Sequence, residues 1–215
     1  MVKKFICLAN SKKYNERCVA GIEVEGEERK FRVVRSGSTP IWIRPVSKNG
    51  HGEFPTNIAS SFSILDVIEF EMESLCPSGY QSENIYFVSN SVKSIAKIKL
   101  SNDNLSKLTS NAHLLFGNRG KAVHCDVVDE LTHSLLFIRA EAFQPYIKNE
   151  NNQLRIKFWY KQNEYDLPVT DIEFDRNFHA NPNILQGVSQ LYLAISLAVE
   201  YNCWHTKLIA GVVYI

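Results

Sequence analysis

Most of the chain alternates hydrophobic and polar side chains with the two-residue period of half-buried strands. The clearest stretch is 154–161, where Leu154, Ile156, Phe158 and Tyr160 share one face and Arg155, Lys157, Trp159 and Lys161 the other. Asn149 to Asn152 ahead of it is a polar turn, and 137–147 reads as its partner strand, broken near Pro145. Further strands are expected over 171–174, 191–199 and 208–215. The N-terminal half has the same character over 3–9, 17–24, 30–35, 63–73, 85–88 and 94–100. Gly26 sits in an acidic turn there, and Pro40, Pro45, Pro55 and Pro77 punctuate the rest.

Only one stretch follows helical spacing. Ser101 is a good N-cap, Asp103 suits a first turn, and Leu105, Leu108, Ala112 and Leu115 recur before Gly117, which predicts a helix over about 102–116. Many short strands without crossover helices exclude a parallel α/β sheet, so the chain is expected to be mostly β, a sandwich or barrels, with one short helix near its middle. Two compact barrels suit its length of 215 residues. Ala20-Gly21 and Ala210-Gly211, each inside a predicted strand, mark bulges or close backbone approaches, and their flanks are similar enough to suggest matching barrel corners.

Composition adds a local asymmetry. The formal net charge is only +1, which excludes a uniformly basic binder. Residues 1–50 nevertheless hold eleven basic side chains (Lys3, Lys4, Lys12, Lys13, Arg17, Arg29, Lys30, Arg32, Arg35, Arg44, Lys48) against five acidic ones. That excess points to an anionic partner near the N-terminal segment, or else to solvated strand faces. Five cysteines form no Cys-x-x-Cys pair, so reduced thiols are expected in place of a zinc ribbon or a disulfide framework. The apolar stretch after Lys3 and Lys4 is too short for a signal peptide, and no run approaches the ~18 residues that span a bilayer. A cytoplasmic protein with no membrane association is the expectation.

Three segments carry candidate chemistry. The loop 9–18 concentrates donors suited to phosphate and sugar oxygens in Asn10, Ser11, Lys12 and Arg17; an ordinary polar hairpin is the alternative. Trp42 and Arg44 point the same way from an extended segment held by Pro45, so an indole could stack while a guanidinium takes a phosphate; a capping Trp beside a salt-bridged Arg is the alternative. Arg155, Lys157 and Trp159 combine charge with an aromatic platform on one strand face, although Trp159 could equally pack under a loop.

Catalytic and metal signals are weak. No His-x-x-x-His or His-Glu-x-x-His spacing, Gly-rich phosphate loop or Gly-x-Ser-x-Gly elbow occurs. His124-Cys125-Asp126, taken as a strand, would put Cys125 opposite its neighbours and build no Cys–His dyad. Asp171, Glu173 and Asp175 read as a solvated strand face. The chain is therefore expected to be no enzyme and to need no cofactor or metal.

The order of several short blocks resembles a bacterial family of dual OB domain proteins. The blocks are Cys7-Leu8-Ala9-Asn10-Ser11-Lys12 with Arg17-Cys18-Val19-Ala20-Gly21, then Trp42-Ile43-Arg44-Pro45-Val46-Ser47, then Gln81-Ser82-Glu83-Asn84, and finally Lys207-Leu208-Ile209-Ala210-Gly211. The resemblance implies two tandem OB-like Greek-key β-barrels, here residues 1–118 including the helix and residues 119–215. It also implies nucleic acid or a nucleotide-like ligand as partner, in a prokaryotic defence setting. The absence of a glycine near Asn15, and the presence of Glu16, speak against tight phosphate wrapping by the first loop. Alternatives are a small-nucleotide sensor using a pocket between the barrels, formed by the N-terminal loop and the Gln81 to Asn84 segment, or a subunit that meets a protein partner through exposed Trp and Tyr rings.

Overall fold

A computed structural model describes residues 1–27 and 30–215; Arg29, one of the eleven N-terminal cations, lies outside the described residues. The first half contains β1 (Val2–Lys13), β2 (Glu16–Glu27), the short β3 (Lys30–Val33), β4 (Arg35–Ser36) and β5 (Thr39–Pro40), then β6 (Trp42–Val46), α1 (Thr56–Ala59), β7 (Asp66–Leu75), β8 (Asn84–Phe87) and β9 (Lys93–Lys97). Five of these strands pair in a ring, β1–β2–β6–β8–β7 and back to β1, with only β6 and β8 parallel.

A connector follows, with α2 (Asn102–Ser106), β10 (Ala122–His124) and α3 (Cys125–Val128). The second half contains β11 (Leu135–Ala140), β12 (Phe143–Lys148), β13 (Gln153–Tyr160), β14 (Asn163–Pro168), α4 (Ile172–Ala180), β15 (Leu191–Leu197) and β16 (Trp204–Tyr214). Here β11 pairs with β15, β15 with β16, and β12 with β13, which pairs in turn with β14. The parallel bridge Val169↔Ile209 joins the end of β14 to β16 and completes the same cyclic order. β11 and β12 act as one bent strand. Glu141 and Ala142 both oppose Trp159, through Glu141 N–H to Trp159 O at 2.9 Å and Trp159 N–H to Ala142 O at 2.8 Å, a two-against-one bulge. The bend thus falls at 141–142, and Pro145 stays within β12, an outer strand that pairs with β13 alone.

Strands at the junction of the rings are buried on both faces. On β1, Phe5 and Cys7 enter the first ring's core while Ile6 and Leu8 face the second ring. On β15, Leu191, Leu193 and Ile195 fill the second core while Tyr192 and Ala194 turn toward the first. The strands come close at Gly211, where an added Cβ would lie 1.8 Å from Leu8 O. Gly21 makes an equally close approach within its own ring, 1.8 Å from Ile6 O, and both glycines flank register shifts. The expected bulges are present. They are not matching corners, because Gly21 lies in the second strand of its ring and Gly211 in the last strand of the other.

Two helical expectations are corrected. The segment 102–116 is α-helical only over Asn102–Ser106, with a separate 3-10 turn at Leu115–Gly117, and is capped as expected by Ser101 Oγ accepting from Asn104 N–H at 3.3 Å. Beyond it the backbone leaves the helix to place Leu108 with Leu105 in the core between the rings. The predicted strand 171–174 is instead the N-terminus of α4, the longest helix among the described residues. Its alternating Asp171, Glu173 and Asp175 mimic a strand. The competing signal, Phe174 and Phe178 four apart, buries one helical face instead. Asp171 is the N-cap, and Glu173 and Asp175 sit in the first turn, where the helix dipole favours them. Among the described residues no helix is long and apolar enough to cross a membrane.

Candidate nucleic-acid interface

The expected faces of β13 are realised. Leu154, Ile156, Phe158 and Tyr160 are buried, while Lys157 and Trp159 point outward, the indole 43% exposed. Arg155 is half-buried and held in place: Nε donates to Asp166 Oδ1 at 2.9 Å, one terminal nitrogen to Asp166 O at 2.7 Å and the other to Gln153 Oε1 at 3.1 Å. Tyr146 O–H donates to the second Asp166 oxygen at 2.8 Å. Lys157 Nζ lies 3.7 Å from Glu164, both well exposed, an ion pair weak enough for a ligand anion to displace.

Beside this strand lies a groove of about 320 Å³ lined by Arg119, Lys121, Tyr146, Lys148 and Arg155, with Glu164 and Asp166. Arg119 and Lys121 are exposed and make no ion pair among the described residues. Their loop is pinned from below by Lys207, whose residue exposure is 0%. Its ammonium donates to Asn118 O at 2.9 Å, Asn118 Oδ1 at 2.8 Å and Gly120 O at 2.8 Å. Burial pushes the Lys207 ammonium down to about 7. The run Asn118-Arg119-Gly120-Lys121 was the sequence signal for this loop, but nothing local placed it beside β13.

The other expected contacts lie elsewhere. Arg44 is buried, paired with the Glu83 carboxylate and bonded to the Ser134 hydroxyl, which also donates to Glu83. It is therefore corrected from a ligand contact to an internal ion pair. Asn10 is also buried and donates to the carbonyls of Ala59 at 3.0 Å and Phe62 at 3.3 Å, and Ser11 is buried against Cys18. Both are thereby committed to internal contacts, and neither lies on the open face of β13. Lys12 is exposed, while its backbone N–H joins the rings by donating to Thr170 O at 2.9 Å. Arg17 lines a hollow of about 160 Å³ with Asn10, Asp171 and Arg176. Trp42 is half-buried at the margin of the core between the rings. It lines a cleft of about 710 Å³ together with Ser82, Glu83 and His133. The nine expected residues thus divide among separate places, and β13 with its groove is the one that combines open cations with an exposed ring.

The N-terminal charge excess is also dispersed. Lys3, Lys4, Arg32, Arg44 and Lys48 pair with Glu23, Glu69, Glu25, Glu83 and Glu73. Three of those carboxylates come from beyond residue 50, so folding offsets about half of the excess of six that counting along the chain exposes.

Two five-stranded rings, each in the order first–second–third–fifth–fourth with the third and fifth strands parallel, define a tandem of OB-type folds. The chain belongs to the dual OB-containing domain family, which it matches over residues 3–212. No curated protein matches it. Among solved structures it is similar to the p204 HINb domain (11% identity, 100% of this chain and 97% of that one, TM-score 0.40). It is also similar to the Ifi202 HINa domain in complex with 20 bp dsDNA (9%, 100% and 95%, TM-score 0.38) and to a murine DNA-binding protein bound with dsDNA (7%, 100% and 96%, TM-score 0.36). Likeness of that degree bears on no ligand.

Proposed function

We propose that the chain is a non-catalytic nucleic-acid-binding module that works through the second ring. The observation that carries this reading is the outer face of β13, where Trp159 and Lys157 lie open beside a groove edged by Arg119, Lys121, Lys148 and Arg155. A base stacks on the indole while the phosphates follow the cations toward the 118–121 loop. With a net charge of +1, attraction rests on local groups of cations such as this strip, so binding is short-footprint and salt-sensitive. We further propose that the module serves as an accessory of a prokaryotic defence system, which counts of phage plaques on cells with and without it would test.

Titration of labelled oligonucleotides at two salt concentrations tests the reading. Trp159→Ala should weaken binding roughly five- to a hundred-fold. Arg119→Ala with Lys121→Ala should lower the slope of log affinity against log salt by roughly one to two. Absence of binding by the intact protein at low salt, or an unchanged affinity in Trp159→Ala, rejects it.

A second reading is favoured by the cleft between the rings. Glu83 lines it, and Glu83 Oε2 is buried with no hydrogen-bond partner, an acceptor for a ribose hydroxyl or a base amino group. Thermal stabilisation by a mononucleotide with none by oligomers would select this reading over the first.

A further inference from the structure

The connector meets the tip of the β15–β16 hairpin at a cluster of soft ligands. β10 ends at His124, and the chain turns there into α3, so the backbone reverses and Cys125 is brought to the same side as the imidazole. Cys125 Sγ lies 3.8 Å from His124 Nδ1, and Cys203 completes a set of three donor atoms all within 4.8 Å of one another. Asp126 adds a carboxylate, one oxygen 3.2 Å from His124 Nδ1 and the other 3.7 Å from Cys125 Sγ.

Two features hold this arrangement. Cys125 N–H donates to Cys203 O at 2.9 Å, which ties the connector to the hairpin tip. That tip is a two-residue turn between Tyr201 and Trp204, with Asn202 and Cys203 both at positive φ, 50° and 62°. Asn-Gly is the usual choice for such a turn, and a cysteine in the left-handed position costs about 1–2 kcal/mol. The chain places a thiol where glycine would be easier. Trp204 packs edge-on against the His124 ring at 5.0 Å and limits its rotation.

We propose that His124, Cys125 and Cys203 form a zinc site that clamps the connector to the second ring, its fourth position taken by Asp126 on a small rotation or by water. Tetrahedral zinc with bonds of about 2.3 Å to sulfur and 2.0–2.1 Å to nitrogen or oxygen sets neighbouring donors roughly 3.3–3.8 Å apart. The spacings of Cys125 and Asp126 about His124 fall at that scale. Thiolate and imidazole donors suit zinc over the hard cations magnesium and calcium. On binding, the two thiols each release a proton, zinc keeps its oxidation state, and no other reactant is required.

The full chain, purified under reducing conditions and stripped with a chelator, is titrated with zinc against a chromophoric competitor, and separately with cobalt(II). One equivalent should bind, with a thiolate-to-cobalt charge-transfer band and quenching of Trp204 fluorescence. Cys203→Ser and Cys125→Ser should each at least halve the band and weaken zinc roughly a hundred-fold or more, whereas Cys18→Ser, remote in the first ring, should leave both unchanged. Asp126→Asn should keep the band and weaken zinc by less. Circular dichroism of each variant establishes that it is folded. Three results would overturn the site: no stoichiometric zinc binding, a band surviving in the Cys125→Ser, Cys203→Ser double variant, or a Cys125–Cys203 disulfide that forms in preference to the metal complex when zinc is present.

Discussion

Gly211→Ala tests how the two rings are held. The glycine has an ordinary backbone conformation, so alanine brings no torsional penalty and the whole effect is steric. Its Cβ would stand 1.8 Å from Leu8 O, 2.8 Å from Leu8 C and 3.2 Å from Ala9 Cα. All three are backbone atoms of β1 at its bulge, where Leu8 and Ala9 are fully buried, so no rotamer change relieves the overlap. To reach even 3.0 Å, the shortest approach that side chains make, the strands must part and loosen Ile6, Leu8, Tyr192 and Ala194. Overpacking that side chains can absorb costs about 1–3 kcal/mol. With backbone on both sides the upper end is the minimum, so a loss of about 3 kcal/mol or more is expected, or roughly 6–12 °C in Tm for a chain of this size. The control is Gly187→Ala, which meets nothing within 4 Å but sits at φ +79°, and should cost about 1–2 kcal/mol from conformation alone. Thermal melts of both variants decide the matter. If Gly211→Ala melts within a degree or two of the parent, or above Gly187→Ala, the rings do not depend on this contact.

Three further outcomes follow from buried polar groups. Arg44→Met should destabilise by about 3–5 kcal/mol in denaturant titrations because the buried Glu83 carboxylate loses its counter-charge and keeps only the Ser134 hydroxyl, and adding Glu83→Leu should recover a large part of the loss. Asp171 accepts from Phe174 N–H at 3.0 Å and Val212 N–H at 2.9 Å, yet desolvation raises its carboxyl from 3.8 to about 6. Its contribution to stability is therefore complete below pH 3.8 and is lost as pH rises through about 6. Asp171→Asn should remove that part of the pH dependence, so that its deficit against the parent, from an amide accepting for only one of the two N–H groups, is largest at acid pH and shrinks as pH rises through about 6. Lys207→Met should weaken oligonucleotide binding despite the burial of Lys207, because the loop bearing Arg119 and Lys121 loses its three-point anchor; affinity equal to the parent's would show that the loop is held otherwise.

Legibility from sequence differed sharply between neighbouring residues. The faces of β13 were readable because alternation is a property of the extended backbone itself. The same reasoning misread α4, where three acids spaced by two imitate a strand and only the cap at Asp171 and the Phe174–Phe178 pair disclose the helix. Trp42 and Trp159 look alike in sequence, each near an arginine in an extended segment. One lies half-buried at the junction of the rings and the other opens to solvent, because only Trp42 has a second ring packed beside it.

The sequence by itself determined the strand-rich class, the inward and outward sides of β13, the Ser101 cap and the tight approaches at Gly21 and Gly211, all consequences of local backbone geometry and side-chain period. Tertiary structure alone decided which cations stay open. Glu83 and Ser134 reach Arg44 across 39 and 90 residues, Asn118 and Gly120 meet Lys207 across 89 and 87, and Cys203 meets Cys125 only where hairpin tip and connector touch. Such pairings depend on which surfaces fold against one another, and no short-range pattern of residue types encodes that.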